Sequence, residues 1–317
     1  MFAFVIVLLF HLILADAVVA QESDDPSQNA RIRFGPLRLT PGIALTNLGV
    51  DSNVFNEIDD PKRDFTGTVS PQLNAWLRAG RSRTSVSSRA DLVYFHRYAS
   101  ERSIDGGVEA RVEVPGNRLT PWLTAGASSG RQRVGYEIDL RSRRIANNLG
   151  LGVTVRVGPK TGIAFSGSRG RYRFDGDAFF LGSSLEQSLN RTTESIALQY
   201  LQSLTVLTTF VAESDATRDR FEFSQARNSD SVRVRAGFDL NQRALVAGRV
   251  RFGYRKFDAV GGGAPSYIGF VAAVEASTTV AGRTSVSFRG ERDVNYSAES
   301  LYPYYLLTGA RWKSLPA

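Results

Sequence analysis

Residues 232–255 read VRVRAGFDLNQRALVAGRVRFGYR. In an extended chain successive side chains point to opposite faces, so Val232, Val234, Ala236, Phe238 and Leu240 share one side. Arg233, Arg235, Gly237 and Asp239 share the other. After Asn241-Gln242 the alternation resumes, with Val246, Gly248, Val250, Phe252 and Tyr254 against Ala247, Arg249, Arg251, Gly253 and Arg255. Two strands joined by a tight turn, each apolar on one face and charged on the other, are predicted. The pattern recurs at Val108, Ala110, Val112 and Val114 against Glu109, Arg111 and Glu113. It recurs again at Ile268, Phe270, Ala272, Val274 and Ala276 against Gly269, Val271, Ala273 and Glu275. About fourteen such segments follow one another, each near the ~9–11 residues that a tilted membrane-crossing strand needs. Helical periodicity is nearly absent.

The connections sort by length. Tight turns are expected at Gly80-Arg81-Ser82, Pro115-Gly116-Asn117, Gly158-Pro159-Lys160, Gln202-Ser203-Leu204, Asn241-Gln242 and Ala281-Gly282-Arg283. Between them lie mostly longer polar stretches, at residues 56–64, 131–142, 175–190, 214–228 and 258–265, with shorter ones near 99–102 and 297–301. Alternating short and long hairpins describe an all-β fold, a transmembrane up-and-down antiparallel β-barrel with periplasmic turns and larger external loops. Aromatic residues are expected to form two interface belts: Trp76, Trp122 and Trp312 near the turns, and Tyr254, Tyr267, Tyr296 and Tyr304 among those near the loops.

Composition agrees and excludes much. The 317 residues contain no cysteine and two histidines, His11 and His96, which removes disulfides, thiolate metal centres, cysteine nucleophiles and histidine-rich metal sites. No cofactor or metal is expected. Residues 1–20 read as a signal peptide, with an apolar run from Phe2 to Leu14 and small residues before a cleavage site after Ala20, although no Lys or Arg precedes the run. Residues 21–36 then form a periplasmic segment and residues 37–317 the barrel, which places the mature chain in a Gram-negative-type outer membrane in contact with its lipid.

With apolar faces toward lipid, the polar faces line a lumen. There Arg89, Arg111, Arg156, Arg233, Arg235, Arg249, Arg251, Arg255, Arg289 and Arg311 outnumber the acidic residues. Guanidinium groups bind carboxylate and phosphate bidentately, so a pore lined by them favours anions; pairing with acidic residues on neighbouring strands is the equal alternative for each one. Nucleic acid is not expected, because the arginines are dispersed through strands. Gly126-Ala127-Ser128-Ser129-Gly130 matches the nucleophile-elbow pattern, with His96 and Asp91 on an earlier strand. That elbow needs a strand-to-helix turn which the periodicity does not supply, so a barrel hydrolase is the minor reading and no catalytic residue is assigned.

Two motifs carry a family resemblance. Gly49-Val50-Asp51-Ser52-Asn53-Val54-Phe55, followed by an acidic loop, resembles the opening of the β-barrel porin type 2 family. Arg292-Asp293-Val294-Asn295-Tyr296-Ser297 and Tyr302-Pro303-Tyr304-Tyr305 are similar to a late strand pair of that family. The resemblance implies an outer-membrane barrel associated with exopolysaccharide biosynthesis and export, and supplies no catalytic residues. The chain is accordingly read as a barrel that passes a hydrophilic or anionic saccharide, or helps polysaccharide-export machinery to export it, without chemistry. The alternative is a channel for uptake of small or hydrophobic molecules. The chain ends Trp312-Lys313-Ser314-Leu315-Pro316-Ala317 without the terminal aromatic usual in such barrels, so a truncated larger barrel is the alternative to closure at about fourteen strands.

Overall fold

The computed structural model describes residues 26–55, 59–133, 141–180, 182–241, 244–260, 265–280, 283–299 and 302–316. The signal-peptide reading lies outside these residues, as do residues 134–140 of the 131–142 connection and 261–264 of the 258–265 connection. In chain order the strands are β1 (Ile32–Phe34), β2 (Leu37–Asp51), β3 (Asp64–Ala79), β4 (Ser82–Phe95), β5 (Ser103–Glu113), β6 (Leu119–Arg133), β7 (Arg141–Arg156) and β8 (Thr161–Phe174). They continue as β9 (Phe179–Phe180), β10 (Ser183–Ser184), β11 (Arg191–Ser203), β12 (Thr208–Phe221), β13 (Ser229–Leu240), β14 (Ala247–Ala259), β15 (Tyr267–Val280), β16 (Thr284–Tyr296) and β17 (Tyr304–Pro316). One helix, α1 (Leu185–Leu189), lies in the connection after β8.

The architecture is all-β and up-and-down antiparallel: a 15-stranded sheet takes every strand in sequence order apart from the small β9–β10 hairpin, which pairs only with itself. Fourteen of the fifteen are long, as the periodicity predicts. The fifteenth is β1, which adds three residues to the edge of β2 through the turn at Gly35-Pro36. It falls in the stretch read as a periplasmic segment and is too short to show an alternation. Among the described residues no ladder joins β2 to β17.

The sheet is strongly curved. Arg233 of β13 meets Asp293 of β16 at 2.6 Å, and the Tyr296 hydroxyl of β16 donates to Asp219 of β12 at 2.8 Å. In a flat sheet strands three and four places apart are separated by roughly 14 and 19 Å, farther than these side chains reach. Two glycines on the concave face let neighbouring backbones close in: a Cβ on Gly237 would lie 1.8 Å from the Val250 carbonyl oxygen, and one on Gly253 would lie 1.8 Å from that of Val234. Only glycine permits this backbone approach.

Register confirms the facing read from the sequence. Val232, Val234, Ala236 and Phe238 pair with Lys256, Tyr254, Phe252 and Val250 on the convex side, and Arg233 pairs with Arg255 on the concave side. The convex face exposes Ile43, Leu45, Leu92, Ile104, Leu151, Phe165, Val234, Tyr254 and Ile268, each 43% or more exposed. The concave face carries the polar side chains and is continuous, since the ladders connect Glu109 through Gly126, Asn148, Gly170 and Thr193 to Asp219.

One connection is corrected. Residues 214–221, read as part of a loop, are the outer half of β12, leaving only 222–228 as the connection. Asp215, Thr217 and Asp219 point into the concave side while Arg218 and Arg220 point out, so both faces are polar and the apolar alternation vanishes.

Candidate functional site: a half-filled interior

The concave face divides into a packed half and an open half. On β12 to β16 it is filled by an ion network. Arg233, 1% exposed, donates from Nε to Asp215 at 2.8 Å and from Nη1 to Asp293 at 2.6 Å. Asp293 also accepts from Arg255 at 2.7 Å. Glu213 holds Arg235 at 2.8 Å and faces Arg251 at 3.5 Å, and Arg251 reaches Asp239 at 2.8 Å. Four guanidinium groups thus meet four carboxylates. Nearer the turns Glu275 is shared by Arg249 at 3.1 Å and Arg289 at 2.9 Å. Ionised groups this deeply desolvated persist only when so paired.

The connections cap this half. The Arg227 guanidinium donates to the carbonyl oxygens of Ser297, Ala298 and Glu299, tying the connection after β12 to the one after β16. Leu185 and Leu189 of α1 pack with Phe174, Ala178 and Ala298 in an apolar cluster, so three connections meet. Arg227→Ala leaves three carbonyl groups without this donor. Limited proteolysis is expected to cut the 297–303 connection in the variant well before the parent, with the strands spared; equal cutting rates would show that the clamp holds nothing.

On β3 to β7 the concave face is open. Gln72, Asn74, Ser87, Arg89, Glu109, Thr124, Ser128 and Asn148 line a cavity of about 350 Å³. A second, of about 560 Å³, shares Arg89 and extends toward the loops past Asp91, Glu101, Asp105, Arg131 and Arg141. Small residues make the room: Gly107, Gly126 and Ser128 present almost no side chain where neighbouring strands carry long ones. Arg89 is fixed by Asp91 at 2.7 Å and Ser70 at 3.2 Å, yet its side chain is 53% exposed. Glu109 points into the cavity with no ion-pair partner among the described residues.

The ten lumen arginines therefore separate. Arg233, Arg235, Arg249, Arg251, Arg255 and Arg289 belong to the ion network, Arg89 lines the cavity, and Arg111 pairs with Glu113 at 3.5 Å beneath the Trp122 ring. Arg156 is exposed at the turn end of β7, and Arg311 is exposed in the middle of β17. Of the two readings open for these residues, pairing describes eight of them.

The aromatic belts are corrected in part. Trp312 and Tyr254 stand outward, 76% and 65% exposed. Trp122 is 8% exposed and turned inward, with the Arg111 guanidinium 4.9 Å from its ring centre. Trp76 shares the concave-side parity of Gln72 and Asn74. Tyr267 has the parity of the buried Val271, Tyr296 bonds Asp219 and Ser229, and Tyr304 packs on the buried Phe257 with ring centres 4.8 Å apart. Position at a strand end brought these rings together; parity separates Trp76, Trp122 and Tyr267 from Tyr254, whereas Tyr296 and Tyr304 turn inward although they share the parity of the outward Phe288 and Trp312.

The three residues of the hydrolase reading take different partners. Asp91 holds Arg89 and Ser70, His96 lies exposed 3.5 Å from the Tyr94 hydroxyl, and Ser128 faces the cavity from mid-strand. Sequence reasoning missed Asp215, because it placed residues 214–228 in a loop, and Glu213 just before that loop; it missed the Arg227 clamp too, which no local pattern signals.

The motif Arg292 to Ser297 places two residues inside this interior: Asp293 bridges two arginines and Tyr296 bonds Asp219. The other motif ends β2, where the Val54 amide donates to Lys62 at 2.8 Å and Phe55 packs edge-on against Tyr98. Compared with known proteins, the chain matches no family model and no curated sequence, and the resemblance to the β-barrel porin type 2 family rests on these two motifs.

Proposed function

We propose that this chain is an outer-membrane β-barrel pore that passes a hydrophilic saccharide, without chemistry, in a polysaccharide export setting. One observation carries the reading: the face turned outward is apolar and exposed while the face turned inward is polar and hollow on one side. A water-soluble sandwich buries its apolar face; a membrane wall inverts that arrangement. From Val232 to Leu240 the outward apolar side chains span about 27 Å along the strand, which tilt reduces to near the height of an outer-membrane apolar band. The resemblance supplies the polysaccharide setting.

The open half sets the solute. Its lining is mostly amide and hydroxyl groups, which exchange hydrogen bonds with sugar hydroxyls as readily as with water. Charge in the smaller cavity is balanced, Arg89 against Glu109, because six of the ten arginines lie in the ion network instead. An anion preference is accordingly assigned to none of the paired arginines.

Planar-bilayer recordings test the reading. The parent is expected to conduct, and Gly126→Trp, which puts an indole into the cavity where a Cβ meets nothing closer than 3.6 Å, is expected to lower the conductance several-fold. Glu109→Gln is expected to move the reversal potential toward anions, more in dilute salt, since screening extends over only ~8 Å at physiological ionic strength. A parent that inserts but never conducts would sink the pore.

A further inference from the structure

The convex face carries a charged patch that the pore does not use. Across β8, β11, β12, β13 and β14 the ladders set Arg169, Glu194, Arg218, Asp230 and Asp258 opposite one another in one row. Arg171 and Arg220 flank Thr192 one step nearer the loops, with Arg173 beyond, and Lys256 lies one step below beside Val232. Two further residues down, the row has become Phe165, Leu198, Ser214, Val234, Tyr254 and Phe270. The change from charged to apolar is thus abrupt. It is also local: on the opposite arc Val50, Phe65, Tyr94 and Ile104 reach the loop end, 45% or more exposed.

Ion pairing leaves this patch cationic. Glu222 is shared by Arg171 at 3.3 Å and Arg173 at 4.0 Å, and Asp230 by Arg218 at 3.6 Å and Arg220 at 2.7 Å. Arg169 faces Glu194 at 3.6 Å and Lys256 faces Asp258 at 2.8 Å. Six cations therefore meet four carboxylates, and their side chains remain 36–69% exposed. A guanidinium that shares its carboxylate keeps donors for a second oxyanion, and phosphate accepts them as a fork.

We propose that Arg169, Arg171, Arg173, Arg218, Arg220 and Lys256 form a docking surface for the phosphate groups of an anionic glycolipid in the outer leaflet. The proposal rests on the membrane reading, which sets this row where the apolar band meets the head groups. Charge complementarity selects the occupant: exposed arginines edging an apolar face suit a molecule with acyl chains below and phosphates above. The carboxylates among them hold the forks of β8 and β12 splayed.

The test uses the full-length mature protein folded in neutral detergent and titrated with bisphosphorylated lipid A, with its dephosphorylated form and with inorganic phosphate, bound lipid being counted by native mass spectrometry. Retention of the phosphorylated lipid about tenfold above the dephosphorylated one is expected, and the variant R171Q/R173Q/R218Q/R220Q is expected to lose that preference. Equal retention of the two lipids by the parent overturns the proposal, and this arm needs no variant. Inorganic phosphate that displaces the lipid at equal concentration overturns it too, by showing a site for a free anion. A parent that never folds in detergent or enters a bilayer refutes the membrane reading instead, whereas insertion without lipid preference refutes the docking surface alone.

Discussion

Asp293→Ala should destabilise the folded sheet by about 3–5 kcal/mol, because it removes the acid that two buried guanidinium groups share and leaves Arg255 without a carboxylate. Arg233 and Arg255 both depend on this carboxylate, at 2.6 and 2.7 Å, and both are 7% exposed or less. The fitting comparison is Glu275→Ala, which also frees two arginines. Glu275 is 37% exposed, however, and water can take its place, so that loss should stay near 1 kcal/mol. Urea titration of the detergent-folded protein, followed by its gel mobility without heating, measures both. Equal losses would mean that the interior is wet throughout and the network contributes no more than a surface pair.

Ala236→Arg should cost ~2–4 kcal/mol in a bilayer, and Leu240→Arg about 0–1, because the penalty for a charge on a lipid-facing position falls with distance from the midplane. Ala236 is the middle member of the outward series from Val232 to Leu240 and is exposed; Leu240, at its end, is half-buried. If the convex face were in water, both substitutions would lie within about 0.5 kcal/mol of the parent. The depth dependence separates the environments even where the absolute stability is small. Refolding into vesicles followed by denaturant titration reads it directly.

Facing was the legible part of this fold. Wherever one face was apolar, as at Val232 to Leu240, alternation alone assigned every side chain to its side, and the register agrees. The signal failed where both faces were polar, at Asp215 to Arg220, since outward arginines there mimic a loop. It failed again at β1, whose three residues complete no period. Trp122 was misplaced although its parity with Thr124 and Gly126 was available, because nearness to a turn was weighed above alternation. The division of the interior could not be read at all. Arg233 pairs with Asp215 on the adjacent strand, but its second acid, Asp293, lies three strands away, and no local pattern encodes how sharply the wall bends.

Arg233 and Asp293 are 60 residues apart in the chain, whereas every hairpin of the sheet closes locally. Contacts at such separation form late, after the loop-closure entropy of the intervening strands has been met. Until β16 arrives, Arg233 and Arg255 lack an acceptor that both of them share. A slip of β16 by one residue would carry Asp293 to the outward face and leave that acceptor missing. The network thus ties the charge balance of the interior to the register of the last hairpins: a chain with β16 misaligned keeps Arg255 inside without its carboxylate, and only the correct register closes the bridge.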